Sequence, residues 1–86
     1  MSPHSLRFKE SVEKDLRRLP ASARTRCLEH AEALRHDPRP RNALKMTGAE
    51  RTYRLRVGRY RVIYQIDDRE RTVTVEYVRH RGGAYR

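Results

Sequence analysis

The chain has 86 residues with 21 Lys and Arg against 11 Asp and Glu, which gives it a formal net charge of +10 at pH 7. We expect one domain over residues 1–86, because the length suits a single core, no uncharged run is long enough for a transmembrane helix, and no apolar leader pattern opens the chain. Cys27 is the sole cysteine, which excludes an internal disulfide framework and a thiolate metal cluster, so we expect a cytoplasmic protein without metal or other cofactor.

The start of the chain predicts a strand and then an amphipathic helix. Leu6 and Phe8 alternate within residues 4–8, the pattern of a short half-buried strand. Over residues 10–19 the apolar spacing changes to i, i+4, i+7, which predicts a helix with one buried stripe. That stripe consists of Val12, Leu16 and Leu19. The charged residues between them, Asp15 included, are expected to face solvent.

A second helix is predicted directly after the first. Pro20 closes the first helix and lies where another one can begin. Residues 21–36 continue the helical spacing, with an apolar face formed by Cys27, Ala31 and Leu34. Residues 37–40, Asp-Pro-Arg-Pro, end this helix because a residue before proline is pushed out of the helical region. The two helices therefore form a hairpin, and residues 38–50 are one long connection.

The rest of the chain predicts three strands. Alternation with period two covers residues 52–57, 60–66 and 72–78. Gly58 and Arg59 separate the first two strands, and glycine first in a two-residue loop suits a type II′ hairpin. The order of elements predicts an α+β domain: an N-terminal strand, a two-helix hairpin, and a three-strand meander in a mostly antiparallel sheet. The helices are expected to cover the apolar face of that sheet.

Register turns the arginines of this hairpin into a candidate site. A two-residue loop pairs Arg56 with Arg61 and places Arg54 a diagonal step away, near Ile63. Like charges directly opposite each other destabilise a sheet by about 0.2–1 kcal/mol, which selection for stability alone would avoid. Three guanidinium groups on the face away from the helices suit an anion, and a phosphate diester first of all. The alternative is a solvated face whose charges splay apart.

The strong preference for arginine supports a polyanionic partner. Only three of the 21 Lys and Arg are lysines, which leaves 18 arginines. The planar guanidinium donates two parallel hydrogen bonds to phosphate and stays charged when partly buried. A net charge of this size favours nucleic acid over a membrane or an acidic protein. A genome rich in G and C explains the choice of arginine over lysine equally well, but explains the charge less well.

The C-terminal residues add groups suited to proton transfer. Arg79, His80 and Tyr85 follow the last predicted strand within a few positions, with two glycines between them that let the backbone fold back toward the sheet. Histidine is the side chain best suited to exchange protons near neutral pH, which makes His80 a candidate general acid or base. A lone histidine among arginines is nevertheless more often a surface residue than a catalytic one.

These residues lie in a pattern that resembles the RelE/ParE toxin superfamily, on its RelE side. Residues 53–64 read Tyr-Arg-Leu-Arg-Val-Gly-Arg-Tyr-Arg-Val-Ile-Tyr, and Arg79-His80-Arg81 and Tyr85-Arg86 follow. An early Phe-x-x-x-Val-x-x-Asp-Leu-x-x-Leu-Pro and a later Leu-Lys-Met-Thr-Gly extend the likeness over nearly the whole chain. The resemblance implies a RelE-like microbial ribonuclease fold.

The same resemblance implies a function. Relatives of this kind are metal-independent ribonucleases that enter the ribosomal A site and cut mRNA, as toxins of type II toxin–antitoxin systems. The 2′-hydroxyl attacks the adjacent phosphate and leaves a cyclic phosphate and a free 5′-hydroxyl. The implied partners are a RelB-like antitoxin, the ribosome with its rRNA, and mRNA, with operator DNA bound only through the antitoxin complex.

Roles follow position by position from the resemblance. Arg54 and Arg56 contact the scissile phosphate and its neighbours, and Arg61 stabilises the developing negative charge. Arg79 lies near the 5′-oxygen leaving group, and Tyr85 acts on the 2′-hydroxyl or stacks on a base. Further RNA contacts are expected from Lys45, Arg51, Arg59, Arg81 and Arg86.

The chain departs from the pattern at two of these positions. Relatives often carry lysine where Arg54 and Arg56 stand, and arginine cannot act as a base, which moves proton transfer to His80 or Tyr85. Two alternatives stay open. One is a ParE-like poison of DNA gyrase, which has no use for a convergent phosphate site, and the other is a basic nucleic-acid-binding homologue with weak or no catalysis.

Overall fold

The computed structural model describes residues 3–48 and 50–80. In chain order its elements are β1 (Ser5–Phe8), α1 (Glu10–Arg17), α2 (Ala21–Ala33), β2 (Ala43–Lys45), β3 (Thr52–Val57), β4 (Tyr60–Asp67) and β5 (Thr72–His80). The strands form one sheet in the order β1-β5-β4-β3-β2. β1 runs parallel to β5 and the other neighbours are antiparallel. The predicted α+β fold is confirmed.

The core lies between the two helices and one face of the sheet. Alternate residues of β3, β4 and β5 face it, and they meet the apolar stripes of α1 and α2. The buried members of this core cluster are Val12, Leu19, Cys27, Ala31, Leu34, Leu55, Val57, Val62, Tyr64, Ile66, Val73, Val75 and Val78. Within residues 3–48 and 50–80 no helix covers the opposite face of the sheet, which is called the open face below.

Asp15 is buried, and the prediction that it faces solvent is wrong. β1 pairs with β5 only as far as Phe8 opposite Val75, so the rest of this edge of β5 is covered by α1. The Asp15 carboxylate, only 7% exposed, accepts a hydrogen bond from the Val78 backbone N–H at 3.0 Å. It therefore satisfies a backbone donor that no neighbouring strand pairs.

The connection predicted over residues 38–50 contains an additional strand. β2 pairs antiparallel with β3, and Asn42 prolongs the pairing because its side chain donates to the Arg56 carbonyl at 2.8 Å. Three residues are too short for period-two alternation to show. The helix predicted over residues 21–36 ends at Ala33, and the residues that follow form a turn before Pro38. Within the described residues, no helix is long and apolar enough to cross a membrane.

Candidate nucleic-acid interface

The hairpin that joins β3 and β4 fixes the geometry of the site. Gly58 has a φ of +59°, and Arg59 is not among the residues with positive φ, which is the combination of a type II′ turn. Val57 pairs with Tyr60, and Arg56 lies directly opposite Arg61. The predicted register is confirmed, and with it the like-charge pair.

The pair extends across the sheet into a row of three arginines. Arg61 faces Arg56 on β3 and Arg79 on β5, so all three share the open face. We call Arg56, Arg61 and Arg79 the arginine row. Neighbouring strands lie about 4.8 Å apart, so adjacent guanidinium groups can flank one phosphate from two sides.

A second row lies beside the first on the same face. Register aligns Leu44 of β2, Arg54 of β3, Ile63 of β4 and Tyr77 of β5. Ile63 is only 4% exposed although it lies outside the core cluster, so this part of the open face is locally apolar. A cavity of about 230 Å³ borders it, lined by Arg41, Asn42, Leu44, Arg54 and Arg56.

Tyr77 is a site residue that the sequence reasoning missed. It is half-buried, and the guanidinium carbon of Arg79 lies 4.4 Å from the centroid of its ring. Strict alternation from Val73 and Val75 would place Tyr77 on the core face, but a register shift between β4 and β5 puts it on the face of Arg79 instead.

The arginines of the site differ in their electrostatic surroundings. Within residues 3–48 and 50–80, Arg54, Arg56 and Arg61 form no ion pair with a carboxylate. Arg79, in contrast, donates from Nη1 to Oδ2 of Asp15 at 3.0 Å. The uncompensated charge of the open face is therefore concentrated on β3 and β4.

His80 and Lys45 do not converge with the arginine row. His80 is opposite Tyr60 and makes an edge-to-face contact with its ring, with centroids 5.3 Å apart. Lys45 is opposite Tyr53, and both tyrosines pack against the core. Because adjacent residues of a strand point to opposite faces, the residue that follows Arg79 faces the helices.

The remaining predicted contacts are spread along the sheet. Arg59 is exposed in the β3–β4 turn, at the same end as the arginine row. Arg51 is at the other end of β3, where its backbone has a φ of 69° and its Nη1 lies 3.8 Å from Asp67 Oδ2. It therefore lies apart from the row. Arg81, Tyr85 and Arg86 lie outside the described residues.

Hydrogen bonds of Tyr64, Tyr53 and Arg39 tie the connection after α2 to the core side of the sheet. Tyr64 donates its hydroxyl to the Pro38 carbonyl at 2.6 Å, and Arg39 donates to the hydroxyl of Tyr53 at 3.0 Å and to Asp68 Oδ2 at 2.7 Å. Burial raises the pKa of Tyr64, and the hydrogen bond from Arg39 lowers the pKa of Asp68. These hydrogen bonds direct the chain toward β2, and the side chains of Tyr53 and Tyr64 that form them lie on the core side of the sheet.

No metal-binding cluster is found in residues 3–48 and 50–80, since no group of three or more His, Cys, Asp or Glu lies together there.

Known proteins share this fold and sequence over almost the full length. A sequence model of the ParE toxin of type II toxin–antitoxin systems, parDE, matches residues 6–85. Toxin RelG of Mycobacterium tuberculosis is 34% identical over 86 residues, with 98% of each chain covered. The archaeal RelE–RelB complex from Pyrococcus horikoshii matches with a TM-score of 0.84 and 30% identity, over 95% of this chain and 99% of the other. The isolated E. coli RelE toxin matches with a TM-score of 0.77 and 25% identity, over 90% and 83%.

Proposed function

Because this chain belongs to the RelE/ParE superfamily and is a toxin of a type II toxin–antitoxin system, we propose that it is a ribosome-dependent, metal-independent endoribonuclease that cleaves mRNA in the ribosomal A site. The reaction forms a 2′,3′-cyclic phosphate and stops translation in the cytoplasm.

The observation that supports this proposal is the direct pairing of Arg56 with Arg61, without a carboxylate partner for either in the described part of the chain. Such a pair costs stability. The arginine pair has a function when a phosphate lies between the two guanidinium groups. Their preorganised positive charge then stabilises the extra negative charge of the transition state. Arg54 lies two residues from Arg56 on the same strand, a spacing of about 6.7 Å, and we assign it to the neighbouring backbone phosphate.

The chemistry follows from these positions. The 2′-oxygen attacks the adjacent phosphorus, and the bond from phosphorus to the 5′-oxygen breaks as the cyclic phosphate closes. One proton leaves the 2′-hydroxyl and one is delivered to the 5′-oxygen. In this proposal Arg56 and Arg61 bind the non-bridging oxygens, and Arg79, at the end of the row, lies on the side of the leaving group.

Proton transfer requires a group other than these arginines, since a guanidinium stays protonated. We assign it first to Tyr85, because His80 faces the helices in the described structure. A His80→Gln variant tests the second assignment. If His80 takes part, this substitution lowers the rate of cleavage and changes its pH profile.

The partners in this proposal are a cognate RelB-like antitoxin, the ribosome and mRNA. RelE relatives have been solved in complex with RelB, and the same kind of partner is proposed here. Operator DNA is then bound through the toxin–antitoxin complex. The arginines outside the open face contribute to the net charge of +10, which attracts the small protein to rRNA over longer distances.

The test uses variants of the purified protein in a translating extract, with new mRNA 3′ ends mapped by primer extension. Arg61→Gln is expected to lower cleavage about 100-fold or more, the usual effect of removing one charge-stabilising donor. Tyr85→Phe is expected to lower it as well. Arg69→Gln is the matched control, because it removes the same charge from the exposed β4–β5 turn at the other end of the sheet. Equal cleavage by Arg61→Gln and Arg69→Gln would contradict the proposed site.

A second candidate function follows from the match to the ParE family model over residues 6–85. A ParE-like toxin traps cleaved DNA on gyrase and needs no phosphate-cleaving site of its own. Gyrase-linked DNA breaks, measured in cells that express the protein, identify this activity. A third outcome, salt-sensitive RNA binding without new 3′ ends, identifies a homologue without catalysis.

A further inference from the structure

Arg79 differs from the other arginines of the open face because both a carboxylate and an aromatic ring contact its guanidinium group. Its Nη1 lies 3.0 Å from Oδ2 of Asp15, whose carboxylate is buried. Its guanidinium carbon lies 4.4 Å from the centroid of the Tyr77 ring. The side chain as a whole is 42% exposed.

We propose that Arg79 and Tyr77 form a stacking platform for a nucleobase of the bound RNA, and that Asp15 is the positioning residue that holds this platform. The inference rests on the proposed function and adds a base-binding subsite to the phosphate site of Arg56 and Arg61. It assigns Arg79 to a base in addition to its place near the leaving group.

The chemistry of the two side chains suits a base better than a phosphate. Unpaired RNA bases stack on aromatic rings and on guanidinium planes. The Asp15 carboxylate offsets part of the charge of Arg79, which weakens the attraction of this guanidinium for a second anion. The neighbouring Ile63 is buried on the same face, so an apolar side chain lies beside the Tyr77 ring.

The position of the platform fits one nucleotide. Tyr77 is opposite Ile63, and Ile63 is two residues from Arg61 on β4, so Tyr77 is a diagonal neighbour of Arg61. Such neighbours have Cα atoms about 7–8 Å apart. A phosphate held by Arg61 therefore places the base of an adjoining nucleotide within reach of the Tyr77 ring. Stacking accepts every base, and it favours purines because they present the larger surface.

Asp15 determines where the guanidinium lies. The carboxylate is fixed by its hydrogen bond from the Val78 backbone N–H, so it binds Arg79 at a defined place beside β5. Replacing Asp15 with Asn keeps an acceptor for the backbone but removes the charge that attracts Arg79. The guanidinium is then free to leave the Tyr77 ring.

The experiment compares two fluorescent oligomers of equal length by anisotropy, with the full-length protein and no ribosome. One is oligoadenylate and the other is a ribose-phosphate oligomer without bases, so the ratio of their affinities isolates the contribution of the bases. Tyr77→Leu, which keeps the apolar bulk and loses the ring, is expected to lower this ratio about 5- to 150-fold. Tyr77→Phe, which keeps the ring, restores it.

Asp15→Asn is expected to lower the same ratio while binding the baseless oligomer at least as tightly as the native protein, because the variant carries one more net positive charge. Circular dichroism checks its fold. If Asp15→Asn does not fold, Tyr77→Leu decides the platform, and Asp15→Glu, which keeps the charge and moves it outward, takes its place as the test of positioning.

The outcomes separate the subsite from the proposed function. An unchanged ratio in Tyr77→Leu refutes the platform, and an unchanged ratio in Asp15→Asn refutes the positioning role of Asp15. In both cases the phosphate site stands if Arg61→Gln weakens binding of the baseless oligomer and Arg69→Gln does so less. If the native protein binds neither oligomer, the platform and the RNA-binding surface on which it rests are both refuted.

Discussion

Removing the charge of Arg61 is expected to stabilise the fold while it lowers cleavage about 100-fold or more. Arg61 is the middle member of the arginine row and has like charges on both sides, Arg56 on β3 and Arg79 on β5. Gln keeps the first carbons of the arginine stem, so little packing is lost. The repulsion is relieved, and the anion site loses its central donor.

The size of the gain follows from the two neighbours. Arg79 is already paired with Asp15, so the repulsion that counts is the one between Arg61 and Arg56. A like-charge pair directly opposite in a sheet costs about 0.2–1 kcal/mol. For a domain of this length that corresponds to a rise in Tm of roughly 1–8 °C.

Thermal and urea unfolding at two salt concentrations measure this gain. We expect Arg61→Gln to exceed the native protein in Tm at low salt, and the difference to shrink at 1 M salt, where charges are screened beyond about 3 Å. Arg56→Gln is expected to give a similar gain, and the double variant no more than either alone, because both remove one interaction. Arg69→Gln, which loses the same charge among the carboxylates of the β4–β5 turn, is expected to give none.

A lower Tm for Arg61→Gln than for the native protein at low salt would refute this reasoning. So would a gain that persists unchanged at high salt, because the benefit would then come from packing and not from charge.

Three further predictions concern the core and the turn. Tyr64→Phe removes the hydroxyl that donates to the Pro38 carbonyl, and is expected to lower the free energy of unfolding by about 0.5–1.5 kcal/mol in urea titrations, with no effect on cleavage. Burial raises the pKa of Cys27 above 9.0 and that of Tyr64 above 10.0, so the unfolded chain releases these protons at a lower pH than the folded protein does. The free energy of unfolding should therefore be retained below about pH 9 and decline as the pH rises further. Because Cys27 is buried, a thiol reagent should modify it only after unfolding. Gly58→Ala places a side chain at a φ of +59° and is expected to cost about 1–2 kcal/mol by the same titrations, although the added carbon would meet only Arg26 at 3.6 Å.

Sequence predicts the part of this fold that depends on local pattern. Gly58 and Arg59 define a two-residue turn, and the turn sets the register that places Arg56 opposite Arg61. The core positions of β3 and β4, and Val73 and Val75 of β5, then follow from period-two alternation, whereas Val78 follows a register shift between β4 and β5. The site could be predicted this far because a hairpin brings together residues that are neighbours in the chain.

The sequence predictions that failed concern residues whose contacts are distant in the chain. Nothing near Asp15 indicates that β1 stops short and leaves a backbone donor of Val78 for it to accept, 63 positions along the chain. Tyr77 belongs to the site because a register shift between β4 and β5 moves it off the core face, which period-two alternation does not show. His80 was expected to converge with the arginines, but consecutive residues of one strand cannot share a face, and Arg79 occupies the open one.

The arginines that produce the formal charge of +10 fall into two groups with different roles. Several arginines serve the fold, such as Arg39 on Asp68 and Arg35, which donates to the His4 carbonyl and to Glu32. Arg54, Arg56 and Arg61 form no ion pair with a carboxylate in the described part of the chain, and their charge is what the open face offers to a ligand. In the proposed function the net charge attracts RNA, whereas the spacing of these three side chains selects a phosphate.

One measurement tests the central claim most directly: the native protein is added to a translating extract, new mRNA 3′ ends are mapped against ribosome position, and gyrase-linked DNA breaks are measured in parallel. We predict new ends that carry 2′,3′-cyclic phosphates within the A-site codon, only while the mRNA is being translated, with no increase in gyrase-linked breaks. Intact mRNA together with accumulating gyrase-linked breaks would contradict the claim and assign the arginine row to another ligand.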